Sequence, residues 1–140
     1  MTNQEKKEYL NQYLESKQRF YILAEEMNQL RSDAVRVTPV ITDMPSGPHV
    51  NDKIARAIEK LEQCADSLEA EAQRIKCTML AVITAIETVP DTILREILLL
   101  RYIDGYPLEK IADKMNYSYD YIRHRHGEAL TAVIIKDSTQ

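Results

Sequence analysis

From Gln4 to about Val37 the chain has neither glycine nor proline, and apolar residues fall at Phe20, Leu23, Met27, Leu30, Ala34 and Val37, in steps of three and four. Such steps keep one face of a 3.6-residue helix apolar. Leu10, Tyr13 and Leu14 extend the stripe upstream, with Lys17 interrupting it, and a long amphipathic helix is predicted. A second run is more regular: Ile54, Leu61, Leu68, Ile75, Val82 and Val89 recur every seventh residue. Ile58, Ala65, Ala72, Met79 and Ile86 follow four positions after the first five. That heptad seam predicts a second long helix, in which Ala65 and Ala72 permit close approach. Between the two runs, Pro39, Pro45 and Pro48 with Gly47 predict a proline-rich loop at about 38–51, and Asn51 or Asp52 is suited to cap the helix beyond it.

The simplest arrangement is a long antiparallel hairpin of coiled-coil type over residues 1–89. A two-helix hairpin has little core of its own, so its uncovered side is expected to pack on the C-terminal domain or on a second copy, and a homodimer is the expected assembly.

The pattern changes at Pro90. Asp91 is placed to cap a helix in which Ile93, Leu94, Ile97, Leu98 and Leu100 leave almost no polar face, so that helix must be buried. Asp104-Gly105-Tyr106-Pro107 turns the chain, and Leu108, Ile111, Ala112 and Met115 line one face of a short helix. Asn116 suits the left-handed conformation, and Ser118 suits the N-cap of a last helix running to about Ile135 with Ile122, Ala129, Leu130 and Val133 inward. A short helix with a small residue at the crossing, a tight turn, a serine cap and a second helix describe a helix-turn-helix over residues 90–140. The fold class expected is all-α.

The stretch IETVPDTILREILLLRYIDGYPLEKIADKMNYSYDYIRHRHGEAL resembles region 4 of bacterial sigma factors. The LRY helix, the L-E-x-I-A helix, the serine-capped reading helix and the closing Ala-Leu carry the resemblance. With TPVITDMPSGPHVND between two long helices, the whole chain is similar to small prophage-encoded proteins, among them phage late-gene transcriptional regulators of the RinA and ArpU type. The resemblance implies a sequence-specific regulator of prophage genes, with duplex DNA as partner, acting directly at an operator or by engaging RNA polymerase. A phage terminase small subunit and a helical adaptor that binds no DNA are the alternatives.

A reading helix capped by Ser118 exposes Tyr119, Asp120, Tyr121, Arg123 and His124. These match the sigma-family positions that meet promoter bases. Arg123 is the strongest candidate because a guanidinium bonds guanine bidentately in the major groove. Lys110 and Lys114, four apart on the preceding helix, and Arg101 at the end of the LRY segment are placed for phosphates. Sigma factors commonly have arginine where Tyr119 and Tyr121 stand, so base preference does not transfer. Arg125 occupies a usually apolar position and is expected to snorkel outward or meet DNA. His126 and Gly127 are expected to soften the middle of the helix.

Composition narrows the choice further. Three glycines in 140 residues, none in a phosphate-cradling pattern, disfavour Rossmann and P-loop chemistry. His124 and His126 are two apart and face different sides of a helix, while His49 stands alone, so no metal is expected. No catalytic arrangement is legible; the expectation is no enzyme, no cofactor and no small-molecule substrate. Cys64 and Cys77 lie too far apart on one helix for a disulfide and read as small buried hydrophobes. Without a signal-type apolar core or a membrane-length run, a soluble cytoplasmic protein is expected. Asn116-Tyr117-Ser118 fits a glycosylation sequon but reads better as turn and cap. The net charge of −4 is divided as −3 over residues 1–89 and −1 over 90–140, which argues against a protein that coats nucleic acid through bulk charge.

Overall fold

A computed structural model describes residues 1–41 and 48–136, with the side chains of 36–41 and 48–51 left aside. Five helices follow in order: α1 (Asn3–Ile41), α2 (Pro48–Ile86), α3 (Thr92–Tyr102), α4 (Leu108–Met115) and α5 (Tyr119–Ala132). The described residues contain no strand, as an all-α chain requires.

Both long helices reach further into the proline-rich stretch than expected. α1 continues through Pro39 to Ile41, and α2 begins at Pro48, so Asn51 and Asp52 lie inside a helix instead of capping it. Proline at the first helical position lacks only an N–H that has no intrahelical partner there, and Pro39 sits in the last turn, where a missing bond disturbs little downstream. Pro45 and Gly47 lie outside the described residues, and His49 is among those whose side chains are left aside.

The chain divides into two compact units, one of residues 17–74 and one joining 1–16 to 75–140. In the first, α1 and α2 run antiparallel: Arg19 meets Glu71, and the Cys64 thiol reaches the Leu23 carbonyl at 3.5 Å. Phe20, Leu23, Met27, Leu30 and Ala34 of the predicted stripe are half-buried there. Glu71 is buried and held by two guanidiniums, Arg19 Nε at 3.1 Å and Arg74 Nη1 at 3.0 Å.

The α2 seam departs from the expected one. In unit 17–74 the buried or half-buried companions of Ile54, Leu61 and Leu68 stand three positions on, at Ala57, Cys64 and Glu71, while Ile58 is 51% exposed and Ala65 is exposed. In the other unit Thr78 and Ala85 take the same three-step positions, and Met79 is 37% exposed; Ile86, on the four-step side, is buried. Positions three and four beyond a seam residue flank it on opposite sides, and a single partner helix covers one flank. Both cysteines are free; Cys64 is buried as expected, whereas Cys77 is exposed.

The unit of 1–16 with 75–140 is organised by α3, whose near-absence of a polar face has a direct cause. One side, Leu94, Leu98 and Tyr102, packs with Leu10 and Tyr13 of α1, Val82, Ala85 and Ile86 of α2, and Ala129, Leu130 and Val133. The other, Ile97, packs with Ile111, Ala112 and Ile122. Asp91 starts α3 as foreseen: Oδ1 accepts from the Ile93 N–H at 2.8 Å and the Leu94 N–H at 3.3 Å. α2 ends at Ile86, before the boundary expected between residues 89 and 90, and the compact unit takes in the end of α2 and the start of α1, whose Leu10, Tyr13, Val82, Ala85 and Ile86 belong to its larger core.

Candidate nucleic-acid interface

The turn between α4 and α5 follows from its residues. Asn116 adopts φ 60° and ψ 42° as the C-cap of α4, a left-handed conformation that asparagine tolerates better than most residues. Its N–H donates to the Ala112 carbonyl. Ser118 then caps α5, with Oγ accepting from the Tyr121 N–H at 3.2 Å. Ala112 and Ile122 are buried together where α4 crosses α5. α5 ends at Ala132, three residues before the expected Ile135, because Val133 turns extended at ψ 136°.

With Ile122 turned inward, Tyr119, Asp120, Tyr121, Arg123 and His124 are all exposed on the first two turns of α5. Arg123 Nη2 lies 3.7 Å from Asp120 Oδ1, with side chains 58% and 80% exposed. A pair this solvated is weak and releases its guanidinium readily. Tyr121 packs on Tyr117, ring centroids 4.6 Å apart, which steadies the aromatic face.

The three candidate phosphate cations gather around a residue that sequence reasoning passed over. The Lys110 and Lys114 Nζ atoms lie 5.3 and 4.5 Å from the Tyr106 ring centroid, and Arg101 Nη1 donates to the Tyr106 carbonyl at 3.2 Å. An aromatic ring attracts cations to its face, so Tyr106 holds the two lysines on one side of α4. A tyrosine four positions before Lys110 was the available signal.

Two expectations about α5 need correction. Arg125 neither snorkels freely nor waits for a ligand: its guanidinium bonds Asp91 Oδ2 at 3.2 Å and Glu128 Oε2 at 2.6 Å, joining α5 to the cap of α3. The Leu94 and Ile93 N–H groups, with Arg125 beside them, hold the Asp91 carboxyl below the ordinary aspartate range. His126, expected to soften the helix, is buried and lies 2.9 Å from the Tyr102 hydroxyl through Nε2, the rings stacked with centroids 5.8 Å apart. Burial first, then the charges of Lys7 and Arg101, pushes His126 down to about 4, so the imidazole is neutral at pH 7. Burial pushes the Tyr102 hydroxyl up to about 12.

Among the described residues no group of three or more histidine, cysteine or carboxylate side chains is placed to hold a metal. No helix among them is long and apolar enough to cross a membrane.

Comparison with known proteins gives one match: residues 91–133 fit the family model "Sigma-70, region 4". No curated protein and no solved structure matches the chain. The match begins at the cap of α3 and ends at the C-cap of α5, so it covers the three helices that build the turn and leaves the long helices outside. The C-terminal part of this chain is a sigma region 4-like helix-turn-helix domain, a DNA-binding type of domain.

Proposed function

We propose that the protein is a sequence-specific duplex-DNA-binding regulator of transcription that reads the major groove with α5. The observation that carries this is the face of α5 on which Tyr119, Asp120, Tyr121, Arg123 and His124 are all exposed while Ile122 anchors the helix beneath. Arg123 bonds a guanine, Asp120 accepts from a cytosine amino group, and the tyrosines meet thymine methyls or phosphates. Lys110, Lys114 and Arg101 set the register on the backbone. By the resemblance stated above, the genes are those of a prophage, and the protein acts directly at an operator or by engaging RNA polymerase.

A homodimer, with the long helices as a coiled coil, is part of the proposal. Support comes from apolar side chains exposed in the unit of 17–74, Tyr21 and Ile22 on α1 and Ile58 on α2. Two copies also raise the affinity of a domain whose reading helix is only mildly basic.

Selection of bound fragments from a genomic library, with the full chain at low salt, tests the reading. A shared short sequence among the bound fragments is the expected result, and recovery indistinguishable from the input library overturns it. Light scattering on the same sample is expected to give twice the 16.2 kDa of one chain.

A further inference from the structure

The start of α1 is fastened to the end of α5. Asn3 Nδ2 lies 3.3 Å from Thr131 Oγ1, and Lys6 Nζ donates to the Thr131 carbonyl at 3.2 Å. Beside this junction is a cleft of about 320 Å³ between α1, the C-terminal end of α3 and α5. Lys7, Arg101 and Arg123 line it, with Asn3, Asn11 and His126 as further polar groups, and no carboxylate lines it. Lys7 and Arg101 both act electrostatically on His126, which places two cations around one imidazole. Neutral His126 offers the wall a polar group without adding a fourth charge.

Asp120 offsets Arg123 only through a solvated pair at 3.7 Å and lies outside the lining, so the three cations leave the concave surface positive, and an anion there is favoured. The asparagine amides supply N–H donors of the kind a phosphoryl oxygen accepts. We propose that this cleft binds a phosphoryl group, and that its occupant is a backbone phosphate of the duplex that α5 reads. Arg123 belongs both to the cleft and to the exposed face of α5, so a phosphate seated here would lie beside the bases being read. Lys7 thereby becomes a DNA-contacting residue contributed by the first helix, outside the region 4-like segment. The choice of DNA as the source rests on the reading of α5 given above; the phosphate chemistry of the cleft does not.

The test compares the full-length chain with Lys7→Gln, Lys7→Arg and, as a charge control outside the cleft, Lys76→Gln. Fluorescence anisotropy on a labelled duplex is followed across salt concentration, with circular dichroism reporting the fold. Lys7→Gln should weaken binding roughly three- to ten-fold on every sequence and reduce the salt slope by about 0.9, one phosphate contact. Lys7→Arg should restore both, and Lys76→Gln should leave the slope as it was. Duplex binding with an unchanged slope in Lys7→Gln overturns the site. Absence of duplex binding by the wild-type chain overturns the reading of α5 instead, and inorganic phosphate then decides. Broadening of its ³¹P resonance by the wild type but not by Lys7→Gln keeps the cleft as a site for a free phosphate, and no broadening by the wild type removes it.

Discussion

At the scale of single residues, the two arginines two positions apart on α5 have opposite employment. Arg125 is committed to Asp91 and Glu128, whereas Arg123 is held only by a solvated aspartate one turn back. Arg123→Ala should therefore abolish preference among duplex sequences while leaving helicity unchanged; anisotropy on matched and scrambled duplexes checks it, and retained preference would remove α5 as the reader. Lys114→Ala should weaken all sequences alike and flatten the salt dependence. His126 supplies a prediction of another kind. Its folded value of about 4 lies below the ordinary 6.5, so the unfolded chain binds more protons between those values. Stability is thus full above pH 6.5 and falls as pH drops toward 4, by about 3 kcal/mol. Denaturant titrations of His126→Gln, which keeps a hydrogen-bonding group but no titration, should show a flatter profile in this window. Neither the burial of His126 nor the nearness of Lys7 to it was legible from sequence, because Tyr102 stands 24 positions and Lys7 about 120 positions away, and such spacings leave no local pattern.

Helices α3 to α5 were largely readable, and the reason is chemical. Asp91, Asn116 and Ser118 each have a side chain that satisfies or tolerates one specific backbone geometry, so a single residue announces a helix end. Ser118→Ala should cost about 1 kcal/mol in thermal or denaturant unfolding, the usual worth of such a cap. Ala112 was legible for a steric reason, and Ala112→Leu should destabilise by roughly 1–3 kcal/mol through overpacking where α4 crosses α5. A melting temperature unchanged in Ala112→Leu would contradict the packing described for that crossing. The long helices were harder. Heptad repetition locates an apolar stripe but not which flank a single partner covers, and the four-step reading picked Ala65 and Met79, which are exposed, over Cys64 and Thr78, which are buried. Proline likewise marked the loop but not its edges, since a helix accepts proline in its first turn and loses little at its last.

For the whole molecule, the region 4-like segment is not a self-sufficient core. Leu10 and Tyr13 pack in the same cluster as Leu98, Tyr102 and Leu130, and Gly105, at φ +78°, turns the chain against Leu14. Removing residues 1–16 should therefore cost the helix-turn-helix its cooperative unfolding, whereas a change confined to 17–74, such as Ile58→Ser, should leave it intact; calorimetry on the two variants distinguishes them. The tie between Asn3 and Thr131 spans 128 positions. During synthesis at about 5–20 residues per second, α1 leaves the ribosome roughly 6–26 s before its partner on α5 exists. The tie itself forms only when both of its ends are present. Closing so long a loop also raises the contact order of this unit above that of an isolated three-helix domain, which slows its folding. A chain that stops before Thr131 lacks this tie, and the start of α1 is then without its partner on α5.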